Sequence, residues 1–200
     1  MAGRTNKKVS EPIEAKSRRE ILDAAARLLR SQGYKATTLR DIAEEVGIRA
    51  ASIYYHFESK EEIASTVMNE GVDWVFDAVT ATLEQMPASA SINDRVTAAI
   101  AAHLNALHKH SDYTSAAMKS YADAPDPVRQ LAREHRRRYE SIWVRLIDDA
   151  VAAGATPPGV SSETLRLAAL GMLNWSPEWY RAGRQSIDRL AAEFAAILLR

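Results

Sequence analysis

Apolar residues recur at intervals of three and four along nearly the whole chain, and no run alternates at a period of two. A segment patterned this way buries one continuous stripe only as an α-helix, so the chain reads as all-α. Capping signals, glycines and prolines cut it into about nine helices. "SRRE" sets Ser17 against Glu20 as a capping box, Ile21, Leu22, Ala25, Leu28 and Leu29 form the apolar face that follows, and Gly33 stops the helix. Thr38 with Asp41 repeats the device in "TLRD", opening a short helix that Gly47 ends. Ser59 with Glu62 repeats it in "SKEE" and launches a helix to about Gln85. "PASASIND", "DAPDP" and "GATPPG" are breaks, because proline does not fit a helix interior and glycine favours turns. Helices are expected over about 93–110, 112–122, 128–153, 162–180 and 186–199, the last two split at Gly183.

Of the 200 residues, 46% are hydrophobic, enough for a real core. The start "MAGRTNKKVSEPIEAKSRRE" has no apolar signal region, and no long uncharged apolar stretch follows, so a soluble cytoplasmic protein without a membrane partner is expected. Cysteine is absent, which excludes disulfides, thiolate catalysis and cysteine-ligated metals. His103, His108 and His110 are spaced by five and two, which does not place imidazoles on one helical face, so no metal is assigned. Without a Gly-rich phosphate loop, serine elbow or carboxylate pair, the chain is not expected to be an enzyme or to carry a cofactor. Net charge is zero, but residues 1–60 carry 12 Lys/Arg against 8 Asp/Glu and the remainder 14 against 18. A basic end on a faintly acidic body suits a phosphate contact made by one end only.

The segments 38–45 and 49–55, joined at Val46-Gly47-Ile48, have the parts of a helix-turn-helix. Ala43 permits a close crossing, Gly47 permits positive φ, and Ile42, Val46, Ile48 and Ile53 hold the angle. With Ile53 facing inward, Arg49, Ala50, Ser52 and Tyr54 to His56 cannot all be buried with it. Small residues at Ala50 and Ala51 let a backbone sink into a major groove, where Arg49 can pair with a guanine edge. Tyr55, His56 and Lys60 then stand at the height of the phosphates, and Thr38 with the amides after it offers an anion contact. The alternatives are packing of Tyr54 or Tyr55 on the first helix and capping of the third by His56.

"TLRDIAEEVGIRAASIYYHFESKEE", with "ILDAAARLLRSQGYKATT" before it, resembles the DNA-binding helix-turn-helix of the TetR family of bacterial regulators, over roughly 17–68. The resemblance implies a homodimeric one-component regulator that binds a near-palindromic double-stranded operator and a small-molecule effector. Its domains would be a basic arm (1–16), a DNA-binding head (17–58) and a ligand-binding and dimerisation body (59–200). Carried onto matching positions, Arg40, Arg49, Ala50, Ser52 and Tyr54 face the groove, while Thr38, Tyr55, His56 and Lys60 face phosphate. Arg4, Lys7 and Lys8 of the arm reach a neighbouring minor groove or form a tail without contacts.

In the body, "LAALGMLNWSPEWY" is apolar almost all round, as for a helix meeting a dimer mate on one face and a cavity on another. The last helix, with Ile187, Leu190, Ala191, Phe194, Ala195 and Leu198, is expected to complete a four-helix dimer interface. Met118, Tyr121, Tyr139, Trp143, Asn174, Trp175 and Trp179 are the candidate ligand-binding residues. "NWSPEWYRAGR" is similar to the C-terminal segment of TetR-type regulators of lipid, steroid and aromatic acid catabolism, several of which respond to acyl-CoA thioesters, although its proline departs from that pattern. Arg136, Arg137 or Arg138 then serves CoA phosphates at a cavity mouth, or lies on a solvated face with Glu134 and Glu140. The function expected is a repressor released by an apolar or acyl-CoA thioester effector. The alternatives are a sensor of a drug-like or free acid ligand, an activator, or a helical small-molecule-binding enzyme.

Overall fold

A computed structural model describes residues 18–200 of the chain, and Ser17 and the basic arm with Arg4, Lys7 and Lys8 lie outside them. The described residues form nine α-helices and no strand: α1 (Arg18–Ala36), α2 (Leu39–Val46), α3 (Ala50–Ile53), α4 (Lys60–Gln85), α5 (Ile92–Lys109), α6 (Ser111–Tyr121), α7 (Asp126–Ala152), α8 (Ser162–Trp179) and α9 (Ile187–Leu198). Side-chain caps start most of them. Thr38 and Asp41 make the reciprocal box expected of α2, and Ser91 with Asp94 makes a second one at α5. Ser59 accepts from the Glu62 amide as expected, but the Glu62 carboxylate reaches back to Glu58 N at 2.7 Å instead of closing the box on Ser59.

The expected third helix, 49–55, is shorter. Arg49 is extended (φ −77°, ψ 142°) and precedes a single turn, after which Tyr54 to Phe57 continue as hydrogen-bonded turns. Helical geometry in α1 likewise breaks at Gly33, whose φ of 78° and ψ of 176° suit a residue without Cβ.

Two hydrophobic clusters hold the molecule. One joins α1 to α4 and continues into Tyr113, Ala116 and Ala117 of α6 and Val128 and Ala132 of α7. The other centres on Trp143 and Leu104 and gathers α4, α5, α7, α8 and α9. The end of the helix-turn-helix at 58 is therefore not a break in packing, because α6 belongs to the core of the head. α1 packs more extensively on α6 than on any other helix.

The dimer face expected on α9 needs correction. Leu190, Ala191, Phe194, Ala195 and Leu198 are buried within this chain, where α9 lies along α5. The outward faces of α8 and α9 carry a different set: Leu167, Ala168, Gly171 and Trp175 on one, Ala192, Ala196 and Ile197 on the other. Leu167, Trp175 and Ile197 are 57%, 65% and 61% exposed.

Candidate DNA-binding head and effector cavity

The helix-turn-helix is fixed from inside. Ile42, Ala43, Ile53 and Phe57 are buried, and Gly47 closes α2 in the left-handed region (φ 78°, ψ 33°). Its amide bonds Ala43 and Glu44 carbonyls, and Ile48 N reaches Ala43 O at 2.9 Å. With Ile53 and Phe57 as internal anchors, the residues between them must point away. Tyr54 is 61% and Tyr55 86% exposed, and His56, Arg49, Ala50, Thr38 and Arg40 are exposed as well, with Ser52 half-buried. Neither tyrosine packs on α1.

Pairing separates two kinds of basic residue in the head. Arg18, Arg19, Arg27, Arg30 and Lys35 all form ion pairs, with Glu62, Asp23 and Glu70, Glu45, Asp112 and Asp123 respectively. The guanidinium groups of Arg40 and Arg49 form no hydrogen bond or salt bridge among the described residues. Like Tyr54 and Tyr55 they are exposed, so the helix-turn-helix presents to solvent unpaired guanidinium groups and phenol hydroxyls, the donors that base edges and phosphates accept from.

Lys60 is placed differently. Its ammonium donates to the carbonyls of Tyr34 (3.2 Å) and Thr37 (3.0 Å) and lies 4.0 Å above the Tyr34 ring. The adjacent Tyr34 hydroxyl donates to Glu61 at 2.8 Å. Lys60 thus ties the start of α4 to the end of α1, with at most one N–H left for phosphate. Lys60→Ala is expected to lower the melting temperature, with a loss of about 1–3 kcal/mol from two carbonyls stripped of a charged donor. The salt dependence of DNA binding should keep its slope. A slope reduced by about one at unchanged stability would instead mark a phosphate contact.

In the body, a cavity opens between α4, α5, α6, α7 and α8. It holds a free volume of about 80 Å³ and is open to solvent, and Gly71, His103, Thr114, Met118, Tyr139 and Asn174 are among its walls. Met118, Arg136 and Asn174 also line an outer vestibule, which adds Lys119, Trp175 and Glu178. Four of the seven expected ligand residues, Met118, Tyr139, Asn174 and Trp175, therefore meet here. Tyr121, Trp143 and Trp179 do not line it. Tyr121 lies under the Arg136 guanidinium (4.3 Å), Trp143 is fully buried behind Tyr139, and Trp179 stands edge-on to Phe194. Of the three arginines, Arg136 is at the mouth, while Arg138 covers Phe76 and faces Asp73. His103, which the histidine spacing sets aside as a metal ligand, is a wall residue, and its place between Ile100 and Leu107 on an apolar face is the signal for that.

One helix serves both regions. Thr114, Ala117 and Met118 of α6 form cavity wall, and its other side grips α1. Tyr113 donates to Asp23 at 2.6 Å, Ser120 donates to Leu29 O at 3.3 Å, and Arg30 bonds Asp112. Arg19 closes the joint, bonding Asp23 and Glu70 and stacking over Trp74 and Tyr113.

Residues 21–67 match the pattern of "Bacterial regulatory proteins, tetR family", and residues 89–200, more than half the chain, match "Tetracyclin repressor-like, C-terminal domain". The chain belongs to the TetR family. Among relatives of this TetR-family chain, the HTH-type transcriptional repressor KstR2 of Mycolicibacterium smegmatis is 31% identical over 94% of this chain and 92% of its own length. KstR2 of Mycobacterium tuberculosis superposes with a TM-score of 0.78 at 23% identity, covering 93% of this chain and 97% of that one. AibR in complex with isovaleryl coenzyme A and operator DNA also gives 0.78, at 22% identity, covering 91% and 97%. At these identities the solved structures show a shared fold. The TetR-family assignment makes the chain a regulatory protein rather than an enzyme, and no helix among its described residues is long and apolar enough to cross a membrane.

Proposed function

We propose that the protein is a homodimeric transcriptional repressor that leaves its operator when an acyl-CoA thioester enters the body cavity. The observation that carries this reading is the double role of α6, which is at once cavity wall and the principal support of α1. An effector that displaces Met118 or Thr114 moves the surface on which the head rests. It releases DNA provided it binds the displaced arrangement better; a tenfold preference corresponds to about 1.4 kcal/mol per site.

The thioester reading is supported by the succession of surfaces. Val72, Val75, Leu107, Met118 and Leu170 offer an acyl group apolar wall, Arg136 at the mouth forms no ion pair among the described residues, and the vestibule adds Lys119, held by Glu178 at 3.7 Å. A nucleotide phosphate would stack its charge on these cations, with Lys119 exchanging Glu178 for it. The acidic residue in the cavity wall, Glu140, has Arg166 at 3.7 Å, so the wall favours a cationic drug little. The relatives named as KstR2 repressors support the repressor half of the reading, and the AibR complex with isovaleryl coenzyme A supports the thioester half.

Dimerisation through the exposed apolar faces of α8 and α9 would set two heads on successive major grooves about 34 Å apart on a near-palindromic site. Arg49→Ala should then relax discrimination at one base pair of each half-site, at about 1–3 kcal/mol, whereas Tyr55→Phe should weaken all sequences by a similar factor. Equal losses on operator and scrambled DNA for Arg49→Ala, or a loss confined to the operator for Tyr55→Phe, would contradict these roles. The reading as a whole is tested by fluorescence anisotropy of a labelled fragment from upstream of the gene, at stated salt, titrated with protein and then with aliphatic, aromatic and steroid-like CoA thioesters. Tight binding reversed by one class is the expected result. Failure to bind the fragment, or binding that no thioester disturbs, removes the repressor or the effector half respectively.

A further inference from the structure

His103 occupies an unusual position in the cavity wall. It is 1% exposed, projecting from α5 among Ala99, Ile100, Leu104 and Leu107, and its Nδ1 is hydrogen-bonded to the Tyr139 hydroxyl. Tyr139 in turn receives the indole N–H of Trp143, one turn further along α7, at 2.7 Å. The other ring nitrogen, Nε2, is buried and has no partner among the described residues. The Asn174 side chain approaches the ring and favours its proton, but it does not come within hydrogen-bonding distance of Nε2.

The direction of this chain follows from counting protons. An indole N–H can only donate, so the Tyr139 oxygen accepts from Trp143 and has its own single proton to give. The acceptor within its reach is His103 Nδ1. Nδ1 must then be the bare nitrogen. Burial holds the imidazole pKa down at about 3, His108 adding to the shift and Asn174 opposing it, so the ring is neutral and its one proton sits on Nε2. The reverse tautomer would strand two groups, the tyrosine proton and Nε2, where this one strands only one. The cavity wall thus holds a neutral N–H donor, its ring clamped by Tyr139 and Trp143, with no acceptor at hydrogen-bonding distance among the described residues. A buried donor without an acceptor is unfavourable, and a molecule that supplies an acceptor there gains what the empty protein lacks.

We propose that His103 is a specificity-determining residue of the effector site, its Nε2–H donating a hydrogen bond to a carbonyl oxygen of the bound molecule. The inference rests on the acyl-thioester reading above and sharpens it. The acyl chain fills the apolar part of the cavity, the thioester carbonyl lies against α5 beside Asn174, and the CoA phosphates remain outside near Arg136 and Lys119. Recognition then falls on the functional group that separates a thioester from an alkyl thioether of the same shape. Tyr139 and Trp143 act through His103 by fixing its tautomer and orientation.

The test uses the whole protein without DNA. Calorimetric titrations are made with octanoyl-CoA, phenylacetyl-CoA and a steroid-ring carboxylate thioester of CoA, each beside the S-alkyl-CoA thioether of the same carbon skeleton. The expected result is a thioester that binds about tenfold or more tightly than its thioether, with the gap closing to within about threefold in His103→Leu. Should that variant fail to fold, the 15N resonance of His103 Nε2 in the wild-type protein reads the same bond: it is expected to shift with the thioester and not with the thioether, and an unmoved resonance would overturn the assignment. A thioester and thioether of equal affinity would overturn the role of His103 and leave the CoA reading standing. Binding by none of the six compounds would overturn the CoA reading and this inference together. Imidazole 15N spectra of the unliganded protein supply an independent check: a bare Nδ1 and protonated Nε2 are expected, and the opposite tautomer would also overturn the assignment.

Discussion

Replacing Leu167 and Ile197 together by aspartate is expected to convert the protein to a monomer and to lower its affinity for a two-half-site operator by about a hundredfold or more. Both side chains are more than half exposed in the single chain, so neither substitution disturbs its core. In a dimer both would be covered, and a carboxylate placed there without a partner disfavours association strongly. Each head would then bind alone and lose the effective concentration that its twin supplies. Sedimentation velocity and operator anisotropy check the two halves separately. A variant that sediments as the wild type would exclude these faces as the interface, and a true monomer with undiminished affinity would exclude cooperation between two heads.

The second large effect is expected at Gly71. A Cβ at this position of α4 would lie 2.6 Å from the carbonyl oxygen of Tyr113 and 2.8 Å from its carbonyl carbon, both backbone atoms of α6. Neither can swing aside as a flexible side chain does, so Gly71→Ala must push α6 off α4. Overpacking of this kind destabilises by about 1–3 kcal/mol. Because Tyr113 also holds Asp23 of α1, the displacement should travel to the head and weaken operator binding about tenfold in the absence of any effector. Denaturation midpoints and anisotropy give the two readings. Wild-type values in both would show that α4 and α6 part freely, and would remove the mechanical link on which release by an effector depends.

Much of this architecture is legible in the residues because it is local. Thr38-Asp41 and Gly47 act within one turn of themselves, and the structure carries the box and the left-handed cap where the spelling places them. The outward turn of Tyr54 and Tyr55 also follows from a short-range rule, since Ile53 and Phe57 are four apart and both buried. The cavity is harder, because a helix in a body of several layers has more than one buried face. Periodicity marks Tyr139 and Trp143 as interior alike, yet only the first reaches the cavity and the second lies in the core behind it. The apolar stripe of α9 misleads for the same reason: it fits a dimer seam as well as the flank of α5, and the structure uses it for the latter. His103 was invisible as a donor, since its free nitrogen is defined by a tyrosine 36 positions away.

The sharing of α6 between cavity and head has a consequence for how promoters rank. Coupling free energy is reciprocal, so whatever factor the effector takes from operator affinity, the operator takes from effector affinity. A strong operator holds a larger share of the protein in the DNA-bound form, so its release needs more effector, and release from a weak one needs less. Genes governed by this one protein would be induced in sequence as metabolite accumulates, the weakest sites first. Their order would be written in the DNA, with no change in the protein.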